Sequence, residues 1–221
     1  MGKLIVLEWM DCTGKETQTK LLTEKMQGHK ISVGYFSFPN YESPTGKIIG
    51  GPYLWKQSIC DWYFREGASN VDPKVASLYF AADRLYNLPE IEKRRKNQHL
   101  ILDRYVYSNM AHQWGKLLDL SDRKKLYQRI DQLEFNFLWL PKADIRILLY
   151  LPLEWTLQLQ KNRRELDQHE GNTQYLKIAE QAYLEIAQLY DFMVVQCVEQ
   201  GKLRTIENIN DELYNMVVSC L

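Results

Sequence analysis

Residues 8–18, EWMDCTGKETQ, directly follow an apolar run, LIVL. A loop that leaves a buried strand and enters a helix presents free backbone N–H groups to an anion. A phosphate-cradling loop of the form G-x-x-x-x-G-K-S/T adds three devices. Its second glycine lets the backbone approach the phosphate, its lysine reaches the β and γ oxygens, and its hydroxyl binds Mg²⁺. Gly14 and Lys15 fit that form, whereas Trp9 stands at the first glycine and Glu16 at the hydroxyl. Thr17 offers a hydroxyl one place late, and the Glu16 carboxylate is a hard oxygen donor of the kind Mg²⁺ takes. Alone, this stretch is as consistent with an ordinary helix start as with a phosphate site.

A second group changes the balance. HLILDRY, residues 99–105, reads as a buried strand ending in Asp103 and then Arg104. An acid at the carboxyl end of a neighbouring strand is where Mg²⁺ or its water is held in nucleoside triphosphate chemistry. The other role open to Asp103 is an N-cap for a helix from residue 104.

These residues need a scaffold. Five short apolar runs predict buried strands at 3–8, 31–38, 99–103, 144–151 and 192–198. Helical patterns lie between and after them, at 15–28, 73–96, 104–139, 153–165, 173–190 and 206–219. Strands alternating with helices predict an α/β fold, a five-stranded parallel sheet flanked by helices on both faces, and the loop outline at 8–18 would make it one of the P-loop NTPase type. Ligands in such sheets bind at the carboxyl ends of the strands. The charge run EIEKRRKNQ, 90–98, reads as a solvated helix end.

The 221 residues, 45% hydrophobic and 25% charged, predict one domain spanning 1–221. Lys+Arg and Asp+Glu balance at 28 each, so a basic nucleic-acid footprint is absent. Cys12, Cys60, Cys197 and Cys220 form no C-x-x-C pair, which points to a reducing, cytoplasmic setting and no structural metal. No signal peptide is evident, and no apolar run approaches the roughly 20 residues that cross a membrane. Met1-Gly2 lacks the hydroxyl residue at position six that myristoylation wants, since Val6 is there. No N-K-x-D guanine-reading segment is present.

The chain resembles the thymidylate kinase family. EWMDCTGKETQ is similar to that family's E-G-x-D-x-x-G-K-S/T-T-Q loop, FAADR (80–84) to its F-x-A-x-R, and DRYVYSNMAHQ (103–113) to its D-R-Y-x-x-S-x-x-A-x-Q. RRELDQHE (163–170) resembles its lid, and FSFPN (36–40) more weakly its F-P segment. The resemblance implies transfer of the ATP γ-phosphate to dTMP, with Mg²⁺, in a homodimer. It implies that Cys12, Thr13, Gly14, Lys15, Glu16 and Thr17 hold ATP phosphates, and that Asp103, Glu16 and Thr17 serve the metal. Phe80 would stack on thymine, Arg84 would bond its carbonyl, and Ser108 and Gln113 would line the base pocket beside Phe38 and Pro39. Asp11 would accept from the 3′-hydroxyl, and Arg104 would bridge the two phosphates. A lid at about 160–172 would bring Arg163 and Arg164 onto ATP, ordered by Asp167 and Glu170. Cys12 is not basic, which matches members that rely on lid arginines.

The chain departs from the family pattern at Trp9 and Glu16, and again after F-P. There Asn40 and Tyr41 stand where an acceptor-gripping arginine is usual, and the next arginine is Arg65. His112 and His169 replace tyrosines, the first of which guards against a ribose 2′-hydroxyl. Two other readings stay open: a kinase for another deoxynucleoside monophosphate such as dUMP, and an inactive nucleotide-binding homologue.

Overall fold

A computed structural model describes residues 1–9, 15–53, 64, 67–114, 116–117, 119–160 and 173–221; for Lys15, Glu16, Pro52, Tyr53, Ser69, Leu120 and Gln160 it describes backbone only. Five parallel strands form one sheet in the order β2-β3-β1-β4-β5. They are β1 (Leu4–Trp9), β2 (Val33–Ser37), β3 (His99–Asp103), β4 (Ile145–Tyr150) and β5 (Met193–Gln196). All five fall on the predicted apolar runs. A short antiparallel pair, β6 (Val198–Glu199) and β7 (Lys202–Leu203), follows. β1 lies at the centre, and its register with β3 sets Leu7 opposite Asp103.

At the centre of the sheet both faces are buried, which is why β1 is apolar but for Glu8. Alternate residues of β1 enter two cores. Leu4 and Val6 pack with Leu102, Tyr105, Met110 and Tyr183 on one face. Ile5, Leu7 and Trp9 pack with Leu22, Ile147 and Leu213 on the other. Each such fully buried aliphatic side chain contributes on the order of 1.5–3 kcal/mol.

The helices are α1 (Lys15–Gly28), α2 (Pro44–Ile48), α3 (Pro73–Arg95), α4 (Val106–Trp114), α5 (Leu120–Asp131), α6 (Leu153–Gln160), α7 (Thr173–Leu189) and α8 (Ile206–Ser219). The Asp72 carboxylate accepts from Lys74 N and Pro73 takes the first turn, so α3 begins there. The predicted helical stretch 104–139 is divided. Asp119 accepts from Ser121 N and Asp122 N, which starts α5 as a separate helix. α5 then widens into a π-helical turn, Gln132–Phe137, which leaves Glu134 buried. The predicted helix 153–165 is seen as α6, and its remaining residues lie outside the described ones.

The charge run 90–98 is a largely solvated helix end, as expected, with one exception. Arg95 is buried, donating to Asp144 Oδ2 at 3.1 Å and to the Gly2 carbonyl at 3.2 Å. It clamps the start of β1. At the other end of the sheet, Asn210 on α8 donates to the Gln18 side chain at 2.9 Å and its carbonyl at 3.0 Å. That interlock seats α1, and with it the backbone of Lys15, against α8.

Candidate functional site

The carboxyl ends of β1 and β3 bring four polar residues together, Glu8, Trp9, Asp103 and Arg104. Trp9 is fully buried and its indole N–H donates to Asp103 Oδ1 at 3.0 Å. The tryptophan in the first glycine position thus orients the strand-end carboxylate. Glu8 is also fully buried, with Oε1 accepting from Tyr105 N at 2.8 Å and Ser108 N at 3.1 Å. The start of α4 is therefore capped by Glu8 from β1, and Asp103 faces Trp9; no capping bond from Asp103 is seen among the described residues. Glu8 also accepts from the Ser108 hydroxyl. Burial pushes the Glu8 carboxyl up to about 7, against the opposing pull of Ser108, Arg104 and the two backbone N–H groups.

Arg104 sits at φ 66°, a left-handed conformation costing a non-glycine residue roughly 1–2 kcal/mol. Its N–H donates to the Leu7 carbonyl at 3.0 Å, which pins the turn to β1. Its Nη1 lies 2.8 Å from His112 Nε2, 3.1 Å from the Tyr183 hydroxyl and 3.3 Å from Ser108 Oγ. His112 Nδ1 is 3.0 Å from the Tyr175 hydroxyl, which itself donates to the His112 carbonyl at 3.0 Å. Ser108 and Tyr183 are linked at 2.9 Å. The Ser108 hydroxyl thus serves β1 and α7 rather than its own helix.

Arg84 is 2% exposed, and its Nε and Nη2 fork onto the Glu134 carboxylate. Its Nη1 faces the Tyr105 carbonyl at 3.4 Å. Asn109 donates to Glu134 at 2.9 Å and to the Ser77 carbonyl at 3.1 Å. One turn further along α4, Gln113 is fully buried. Among the described residues neither of its amide atoms has a partner, nor does Asn109 Oδ1. Buried amides without partners are costly in a folded protein.

Phe38 is buried against Phe36 and Tyr105, as a core residue, and the Phe38–Pro39 peptide is cis. The segment after it is held by Asp83. Its Oδ2 accepts from Asn40 N at 2.9 Å, and its Oδ1 accepts from Ser43 Oγ at 2.8 Å and Thr45 Oγ1 at 2.7 Å. A Cβ on Gly46 would lie 1.8 Å from the Asn40 carbonyl, so only glycine fits there. Phe80 is half-buried beside Ile49, Val71 and Ala76. Thr17 is exposed near the head of α1.

Of the residues expected from sequence, the structure joins Arg104, Ser108 and His112 in one network, sets Asp103 against Trp9, and turns Arg84 onto Glu134 and the Tyr105 carbonyl. Asp11, Cys12, Thr13, Gly14, Arg65, Arg163, Arg164, Asp167, His169 and Glu170 lie outside the described residues. Glu8, Asn109, Glu134, Tyr175 and Tyr183 had no assigned role. Glu8 carried a signal, a charge in an otherwise apolar strand, which must be satisfied when buried. Asp103 and Thr17 bear hard oxygens suited to Mg²⁺. No group of three or more metal-ligating side chains occurs among the described residues.

A central parallel sheet whose middle strand leads into α1, with an Asp-Arg pair at the end of the neighbouring β3, is the α/β architecture that nucleotide-binding phosphotransferases use. The thymidylate kinase family model matches residues 7–208. A probable thymidylate kinase of Pyrococcus horikoshii is 29% identical over 98% of this chain and 96% of its own. Another, of Methanocaldococcus jannaschii, is 28% identical over 95% and 92%. The solved thymidylate kinase of Candida albicans superposes with TM-score 0.73 at 25% identity, covering 99% of this chain and 92% of that one. The chain belongs to the thymidylate kinase family.

Proposed function

We propose that this protein is an ATP-dependent dTMP kinase, transferring the γ-phosphate of ATP to dTMP to give dTDP and ADP. The observation that carries the reading is the Asp103–Arg104 junction, buried at the carboxyl end of β3 in a chain that matches the family over 7–208. Pure nucleotide binding has no need of an arginine held in a strained backbone conformation.

The acceptor is already an anionic phosphate oxygen, so the reaction needs no strong general base. Catalysis is positioning plus neutralisation of charge between two anions brought head to head. In this reading Arg104 contacts the acceptor and transferring phosphates, Lys15 the donor phosphates, and Arg163 and Arg164 close over ATP. Asp11 takes the 3′-hydroxyl, Phe80 the thymine face, and the unpartnered amide of Gln113 an edge of the base. Asn109 joins Gln113 in that role through its Oδ1. Asp103, with Glu16 and Thr17, would hold Mg²⁺, which would neutralise phosphate charge. His169 and Glu170 belong to the lid beside the nucleotide sugar.

The protein acts as a homodimer in this reading. Its support is the face of α3 that leaves Val75, Leu78, Leu85 and Tyr86 between 41% and 56% exposed. A cytoplasmic setting fits the free thiols of Cys197 and Cys220. No helix among the described residues is long and apolar enough to cross a membrane.

The test is to incubate the purified protein with ATP, Mg²⁺ and dTMP and to follow ADP and dTDP, with dUMP, dGMP and the ribonucleotide of thymine in parallel. Mg²⁺-dependent turnover selective for dTMP is expected. Faster turnover of another monophosphate, or bound nucleotide with no turnover, refutes the proposal.

A further inference from the structure

The four groups around Arg104 can be assigned their protons by counting donors. The Tyr175 hydroxyl has one hydrogen and gives it to the His112 carbonyl, which can only accept. Its other neighbour, His112 Nδ1, must therefore bring a proton of its own. In a neutral ring that leaves Nε2 with a bare lone pair. Arginine has no lone pair, so the contact at 2.8 Å between Arg104 Nη1 and His112 Nε2 also requires Nε2 to accept. Two independent contacts thus select one tautomer of His112.

The hydroxyls follow. The Tyr183 hydroxyl lies 2.9 Å from Ser108 Oγ and 3.2 Å from His112 Nε2, both of which can accept its one hydrogen. Because arginine can only donate, Tyr183 accepts from Arg104 at 3.1 Å whichever of the two it serves. Nη1 is then held from two sides, by His112 on α4 and Tyr183 on α7. Holding it from two directions fixes the plane of the guanidinium, and with it the placement of Nη2 and Nε.

We propose that His112 is a positioning residue for phosphoryl transfer: its neutral imidazole, kept in the Nδ1–H form by Tyr175, accepts from Arg104 and sets the direction of that guanidinium. This rests on the reading of Arg104 as the group that meets the acceptor phosphate. His112 acts through Arg104 and touches no reacting atom. The device suits the chemistry, since a guanidinium aligned before the reaction loses less freedom when charge develops on the phosphate.

Two measurements test it. The first is steady-state kinetics with dTMP and ATP·Mg²⁺ for His112→Phe, His112→Gln, Tyr175→Phe and Arg104→Ala. His112→Phe keeps a ring but cannot accept, and is expected to lower kcat/KM for dTMP about tenfold, the scale of one lost hydrogen bond, with KM for ATP unchanged. The amide oxygen of His112→Gln can accept and restores most of that loss. Tyr175→Phe frees the tautomer and falls between. Equal impairment by Phe and Gln, or wild-type kinetics for His112→Phe with Arg104→Ala impaired, overturns this proposal alone. Undiminished activity of Arg104→Ala overturns the reading of Arg104 and this proposal with it.

The second measurement is ¹H–¹⁵N correlation of the imidazole nitrogens, with His112 assigned by the His112→Gln spectrum. A protonated Nδ1 and bare Nε2 are expected at neutral pH, shifting towards Nε2–H in Tyr175→Phe. An Nε2–H ring in the wild-type protein overturns the proposal whether or not any variant folds.

Discussion

Glu8 offers a measurable consequence of burying a carboxylate to cap a helix from another element. Its folded-state value lies near 7, against 4.5 for the free side chain, chiefly because burial disfavours the charge. The folded state therefore binds the proton more tightly than the unfolded chain. The corresponding stability is fully present below pH 4.5 and is lost as pH rises through about 7. A separation of about 2.5 units at 1.36 kcal/mol each makes the full loss roughly 3 kcal/mol. Glu8→Gln removes the titration while keeping an oxygen for Tyr105 N and Ser108 N; its NH₂ donates to Ser108, whose hydroxyl turns around. Urea unfolding of both proteins from pH 5 to 8.5 cancels the other titrating groups, the four histidines included. The gap in stability should widen in favour of Glu8→Gln by roughly 2–3 kcal/mol over that range. Parallel curves would refute the reasoning, because they would show Glu8 titrating alike in both states.

Two further outcomes follow from groups around the site. Arg84→Met leaves the wholly buried Glu134 carboxylate without its charge partner and is expected to cost about 3–5 kcal/mol in urea unfolding. Arg84→Met with Glu134→Leu should recover most of that loss, and a single variant costing under about 1 kcal/mol would show that the pair is not buried. On α3, light scattering of the wild-type protein should give twice the 26.2 kDa chain mass, and Leu78→Glu should reduce it to one chain. A wild-type monomer removes the dimer proposal.

The sheet was legible because its information is local. Each strand is an apolar run of four to eight residues, and the two cores follow from which alternate residues face which side. Asp103 and Arg104 were legible as a pair for the same reason, since a strand end followed by a turn is a short-range pattern. What they bond to was not. Ser108 meets Glu8 across 100 residues of sequence, Tyr183 meets Arg104 across 79, and Arg84 meets Glu134 across 50. No periodicity encodes such a partner. Asp103 was open to a capping role because the sequence shows only the residue beside the helix, whereas the cap arrives sideways from β1. The break of 104–139 into α4 and α5 left a local sign, Asp119 ahead of Ser121 and Asp122, a capping arrangement hidden by apolar spacing that continues on both sides.

The placement of the two site dipeptides explains why tryptophan is tolerated where glycine is usual. Successive strand residues point to opposite faces. Glu8 and Trp9 therefore diverge, and so do Asp103 and Arg104. Trp9 shares the α1 and α8 face with Ile5 and Leu7, and Asp103 shares it with Ile101, so the indole meets the carboxylate there. Glu8 turns to the opposite face with Val6, where Ser108, Tyr183 and Arg104 join it. The alternation sorts the site into two halves. The proposed metal-side carboxylate lies towards α1, which carries Lys15, and the proposed acceptor arginine lies towards α4 and α7. The indole fills the second core at the mouth of the loop and donates to Asp103, two things a glycine cannot do. The register of β1 against β3, Leu7 opposite Asp103, fixes this sorting. A slip of one residue would exchange the faces, putting Trp9 against Arg104 and Glu8 against Asp103, two carboxylates in one buried pocket.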